Sequence, residues 1–399
     1  MFAKNLACLC GKTFPLNADL FLCPACGRSL EVGYDYASMR KRISKGALGK
    51  RPFSHMRYRE FYPVRDPVSI GEGGTPLLES RNIGRRIGLD LCFKLESLNP
   101  TGSFKDRGSS VEVAKAVDYG AKSVVCASTG NMGASVAAYS AVAGLKCHIF
   151  VPKAASHVKM EQILAYGAKV FHVSAGYSSV EGLVERISSR PDFYLLGDYL
   201  WRREGTKSVG YEILEQSAPD WIFSPVGNGT LVSATWKAAR EFSLLNLAKK
   251  RPRIAAIQAS GCSPVARAYK TGKPLKPQKH ARTIAHAIEC EYPIDGERVL
   301  AAVKQSGGFA SAVTDSEIIR ARELLAREEG IFAEPSGAAA LAGLIRNRDR
   351  IDKDEKVVCI VTGHGLKNPR TAIRGEPVET SIKSLAKAFS VKRPITSRC

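Results

Sequence analysis

Four segments of the chain concentrate residue types that do chemistry on small molecules. In residues 96–110, ESLNPTGSFKDRGSS, a single lysine, Lys105, follows a Pro-Thr-Gly-Ser turn. Gly102 permits a tight turn, and Ser103 is suited to cap a helix beginning near Phe104. Lys105 is then expected in the first helical turn, near the positive end of the helix and among apolar neighbours, a setting that disfavours an ammonium. A neutral amine is a nucleophile, and Schiff-base formation is its commonest use there. In residues 127–135, ASTGNMGAS, a strand-like run opens into a helix of small residues. Free N–H groups at such a junction bind a carboxylate or phosphate, and Asn131 is able to donate to a ring oxygen. In residues 224–236, SPVGNGTLVSATW, a strand leads through Gly-Asn-Gly-Thr into another helix. This outlines a phosphate cradle of backbone N–H groups and helix dipole. It lacks both G-x-G-x-x-G and G-K-[ST], so it is neither a dinucleotide fingerprint nor a P-loop. Residues 357–369, VVCIVTGHGLKNP, end a buried strand on Thr362, whose hydroxyl suits a ring nitrogen.

An amine, a phosphate cradle, an amide-rich loop and a terminal hydroxyl form one set. Pyridoxal phosphate needs all four, for its aldehyde, phosphate, ring hydroxyl and ring nitrogen. A separate constellation lies near the start, where Cys8 and Cys10 form a C-x-C pair and Cys23 and Cys26 a C-x-x-C pair. These four thiols suit a structural zinc or mark a lost site. Four thiolates leave no open position, which argues against a catalytic metal. The other internal cysteines, Cys92, Cys126, Cys147, Cys262, Cys290 and Cys359, lie singly in apolar surroundings and read as small core residues.

The elements that must carry these residues alternate. SVVCAST, KCHIFVP, KVFHVS, DWIFSPV, RIAAIQAS and VVCIVTG read as buried strands separated by helix-like stretches. That rhythm predicts an α/β fold with open, parallel, twisted sheets and helices on both faces, in which ligands sit at the carboxyl ends of strands. Residues 1–36 read as a small Cys-rich, zinc-ribbon-like module, too small for a core of its own. Residues 37–70 read as an irregular basic connecting arm. A large cofactor-binding domain is expected from 37–110 and 205–375, a small substrate-loop domain from 111–204, and a basic tail from 376–399.

Bulk properties set outer limits. The 399 residues, 44% hydrophobic and 24% charged, describe an ordinary globular chain. No apolar run approaches a membrane span, and the start has no signal-peptide pattern, so the cytoplasm is the expected location. The formal charge of +21 raises nucleic acid as a partner. The basic residues are scattered and not interleaved with aromatics, which favours a small-molecule partner and no nucleic acid.

At these same segments, together with RYREFYPV and IGEGGTPLLES, the chain resembles threonine synthase and the wider fold-type-II pyridoxal-phosphate enzymes from about residue 57 to 369. The resemblance implies a Schiff base at Lys105 and a ring-hydroxyl contact from Asn131. It implies phosphate binding by Gly227, Asn228, Gly229, Thr230 and Leu231, and a ring-nitrogen contact from Thr362. The substrate carboxylate is expected on the loop containing Ser128 and Thr129, and the substrate's own phosphate near Lys159 and Arg202. The implied reaction converts O-phosphohomoserine and water to threonine and phosphate, in a homodimer. Where the family carries Asn-Ser-x-Asn-Pro-x-Arg before Glu-Gly, this chain reads LGDYLWRREG, and Met132 stands where Thr is common. The alternative is a relative shifted to β-elimination or β-replacement on serine, threonine, phosphoserine or diaminopropionate.

Overall fold

Strand sequences such as KVVCIV show no polar alternation, so both faces of the strand must be buried. The sheets follow that rule. In Lys356–Val361, Val358 and Ile360 join one apolar cluster while Val357, Cys359 and Val361 join another. Trp221–Pro225 and Arg253–Ala259 divide the same way: Ile222, Ile254 and Ala256 face the first cluster, and Phe223, Ala255 and Ile257 the second. These strands belong to a six-stranded sheet in the order Phe309–Val313, Arg253–Ala259, Trp221–Pro225, Lys356–Val361, Asp90–Leu95, Leu77–Glu79. It is parallel except for its last pair. A four-stranded sheet, wholly parallel, runs Lys169–Val173, Lys146–Pro152, Ser123–Ala127, Phe193–Leu195. A three-stranded antiparallel sheet, Thr13–Pro15, Ala3–Cys8 and Leu30–Tyr34, forms the Cys-rich start. The computed structural model describes residues 1–18, 20–128, 130–152, 157–174 and 177–368. Met1–Pro369 clusters as one unit; Arg370–Cys399, which includes the expected tail, is a second and lies outside the described residues. No helix among the described residues is long and apolar enough to cross a membrane.

The helix Leu200–Gln216 organises the interior. It is buried from Leu200 to Leu214 although it carries Arg202, Arg203, Glu204, Lys207 and Glu212. It packs between the helices Lys105–Asp118 and Thr230–Leu244. Glycine permits the close approach: a Cβ on Gly205 would strike the Arg107 carbonyl oxygen, and one on Gly210 would crowd Ala238. The buried charges are paired. Arg107 bonds Glu96 and Glu212, Lys94 bonds Glu212, and Lys207 and Lys237 bond Glu204.

Residues 37–70 depart from the expected arm. They form the short helices Tyr36–Arg42 and Lys45–Gly49 and the tight turns His55–Phe61. His55, Tyr58, Phe61 and Tyr62 are buried, and the last three join the main apolar cluster. The aromatic residues of RYREFYP decide this, because they remove far more apolar area from water than the neighbouring arginines cost.

Candidate active site

All four chemistry-bearing loops leave the carboxyl ends of parallel strands. Lys105 follows Asp90–Leu95, Asn131 follows Ser123–Ala127, Thr230 follows Trp221–Pro225, and Thr362 follows Lys356–Val361. A fifth loop, after Phe193–Leu195, brings in Asp198, which has no glycine-rich signature to mark it.

Lys105 is the first residue of its helix, as expected. Its Nζ lies 5.1 Å from the Phe104 ring centroid. Its polar partner differs from the expected apolar setting: the Asp198 carboxylate stands 2.8 and 3.0 Å away through its two oxygens. Burial raises the Asp198 carboxyl, but the Lys105 and Arg202 cations outweigh it and hold the group below the usual carboxylate range. The neighbouring Asn228 side chain also lowers the Asp198 carboxyl. Ser103 does not cap the helix. It pairs through its backbone with Gly363, while the Phe104 N–H donates to the Thr362 carbonyl at 3.1 Å. These contacts hold the Lys105 and Thr362 loops together.

The Gly-Asn-Gly-Thr turn meets the helix Thr230–Leu244 end-on. Gly229 takes φ +95°, a left-handed conformation that glycine adopts without strain, and no side chain caps the helix. A Cβ on Gly227 would press on Ile288 and Ala287, and one on Gly229 on Val299 and Asp295. Asn228 accepts from the Ile294 N–H through Oδ1 and from the Asp295 N–H through its carbonyl. Asp295 in turn accepts from Arg203 and Ser233 behind the turn. Leu231 is buried on the next helical residue.

Asn131 opens the helix Asn131–Val142 and donates through Nδ2 to Glu334 Oε1 at 2.7 Å. Thr362 is buried at the end of its strand. The Ser128 hydroxyl accepts from the Gly133 N–H at 3.1 Å and the Gly130 N–H at 3.3 Å. Thr129 and the side chain of Lys159 lie outside the described residues.

Arg202, expected near the substrate's phosphate, has its guanidinium engaged by other groups of the protein. It is 1% exposed. Its Nε donates to the Gly197 carbonyl, Nη1 to the Lys105 carbonyl, and Nη2 to Ser109 and to Glu112 at 2.5 Å. The guanidinium is committed to holding two loops. Burial pushes the Glu112 carboxyl up, against the pull of Arg202.

Among the described residues, three buried polar atoms on these loops have no partner: Ser103 Oγ, Asn131 Oδ1 and Thr230 Oγ1. Buried polar atoms are nearly always satisfied, so orphans on three of the four loops ask for a ligand. A planar heterocycle with a phosphate arm fits this donor set and the glycine-lined turn. In the Cys-rich start, the sulfurs of Cys8, Cys10, Cys23 and Cys26 all lie within 4.8 Å of one another, with Cys8–Cys26 at 3.4 Å and Cys10–Cys23 at 3.8 Å. Tetrahedral zinc with bonds of about 2.3 Å spaces its sulfurs roughly 3.8 Å apart, so this set fits zinc.

Known proteins show the same pattern. A family described as pyridoxal-phosphate dependent enzyme matches residues 68–363. A threonine synthase of Methanocaldococcus jannaschii is 42% identical over 93% of this chain and 95% of the relative. One of Methanosarcina acetivorans is 40% identical over 92% and 93%. Among solved structures, maize serine racemase superposes with a TM-score of 0.66 at 25% identity, covering 79% of this chain and 91% of that one. The chain thus belongs to the pyridoxal-phosphate dependent enzyme family and, within it, to the threonine synthase family.

Proposed function

We propose that the protein converts O-phosphohomoserine and water to threonine and phosphate. The observation that carries this reading is the chain-long match, 42% identical to a threonine synthase, in a fold where Lys105 opens its helix and its loop is tied to the Thr362 loop through the Phe104 N–H. Pyridoxal phosphate, when bound, supplies an aldehyde and an electron sink. Lys105 would hold that group at its aldehyde and would carry protons to and from the substrate's Cα and Cβ. The backbone N–H groups of residues 227–231 would hold its phosphate. Asn131 would serve the ring hydroxyl and Thr362 the ring nitrogen, to which a neutral hydroxyl gives no full charge. Ser128 and Thr129 receive the substrate carboxylate, and Lys159 its phosphate.

The burial of Arg202 favours one second reading, β-elimination or β-replacement on serine, threonine, phosphoserine or diaminopropionate, because it removes a cation from the substrate-phosphate pocket. One assay separates the two. Purified protein is mixed with O-phosphohomoserine, and phosphate and threonine are followed, with Lys105→Ala expected to abolish both. No turnover rejects the synthase reading; 2-oxo acid and ammonia from serine or threonine support the second.

The Cys8, Cys10, Cys23 and Cys26 site is read as a structural zinc. Free thiols among the described residues support a reducing cytoplasm. The resemblance to a dimerising family supports a homodimer, which light scattering tests.

A further inference from the structure

The Lys105–Asp198 contact is the strongest interaction at the site that the chemistry above leaves unused. Both Asp198 oxygens face one ammonium, and the two side chains are only 15% and 14% exposed. The partners are fixed from behind by one residue. Arg202 donates to the Lys105 carbonyl and to the Gly197 carbonyl beside Asp198, while its third nitrogen is anchored on Glu112. Glu112 also accepts from the Gly197 N–H at 2.7 Å. Both backbones are thus clamped at the separation the pair requires. A chance meeting of two side chains has no such scaffold. The other charged or titratable groups around the pair, among the described residues, are Arg202 and Glu112, bound to each other, and the buried Cys126 thiol.

We propose that Asp198 is the counter-ion of the Lys105 nitrogen while the lysine is joined to the cofactor, favouring a proton on that nitrogen. The proposal rests on Lys105 being the cofactor lysine. A carboxylate this close favours the protonated nitrogen, so its removal has a defined sign. Wild type, Asp198→Asn and Asp198→Glu are loaded with pyridoxal phosphate, and the visible band that depends on Lys105 is titrated with pH. The midpoint should fall by about one to three pH units in Asp198→Asn, and Asp198→Glu should restore most of it. Asp198→Ser gives the same test if the asparagine variant does not fold. A variant that lacks the carboxylate, binds the cofactor and titrates at the wild-type midpoint overturns the proposal. A visible band that survives in Lys105→Ala overturns the lysine assignment instead, so the two failures are told apart.

Discussion

His55 has no room for a charge. Its Nδ1 meets the Ser208 hydroxyl at 2.8 Å, its ring stacks on Tyr62, and it is fully buried. Burial pushes its pKa down to about 4, against the pull of Glu72. A base whose folded pKa is depressed stabilises the fold fully above its unfolded value of 6.5, and that contribution is lost as pH falls towards 4. It amounts to roughly 3 kcal/mol. Urea unfolding of wild type and His55→Gln should therefore show a stability gap at pH 7.5 that shrinks steadily by pH 5. A gap independent of pH would show that burial is not what matters. Residues at this scale were unequally legible. Lys105, Asn131, Thr230 and Thr362 sit after apolar strand runs and beside glycines, a pattern with a direct physical cause. Asp198 sits in LGDYLW, where nothing local marks it. The partners of Arg202 were not legible, because Glu112 is 90 positions away and sequence spacing does not show that a carboxylate already claims the guanidinium.

Among elements, Leu200–Gln216 is the one that periodicity misrepresents. A helix carrying Arg202, Arg203, Glu204, Lys207 and Glu212 reads as a solvated surface helix, yet it is central. Helical pattern reports apolar faces and is silent on charges neutralised by other elements. Buried pairs of this kind add little net stability but become costly when one partner is lost. The glycines carry the clearer signal. Gly205 lies against the Arg107 carbonyl with no space for a methyl group, and backbone cannot yield as a side-chain tip can. Gly205→Ala should destabilise the protein by about 1–3 kcal/mol through forced separation of the two helices. Calorimetry checks this; an unchanged melting temperature would mean the helices part at no cost. Most of the parallel strands were legible, because runs such as SVVCA and KVVCIV bury both faces, but Asp90–Leu95, Phe193–Leu195 and Phe309–Val313 were not singled out. The buried His55–Phe61 turns were not legible, because their arginines masked the aromatics in a short window.

For the molecule as a whole, the question is what the first residues contribute. Ser29 and Glu31 receive Arg298, the Leu30 carbonyl receives Arg203, the Val32 carbonyl receives Lys237, and the Tyr34 hydroxyl donates to Glu204. A metal that fixes Cys8, Cys10, Cys23 and Cys26 also fixes this edge. Metal analysis should return about one zinc per chain, as a four-thiolate site requires. Chelation should lower the melting temperature by about 1–3 °C, the shift that roughly 1–2 kcal/mol gives in a folded unit of this size. Cys26→Ser should show the same loss and no further response to chelator. Metal-free protein that melts unchanged would leave the cluster as four thiols with no structural task.

Arg203 reaches forward to Leu30 and back to Asp295, directly under the Gly-Asn-Gly-Thr turn. Anyone trimming the chain to a minimal catalyst by cutting before residue 37 would strip that guanidinium of one side of its cage and flood Glu204 and Lys237 with water. The leading segment is a buttress for the glycine-lined turn, and shortening it undermines the floor on which that turn rests.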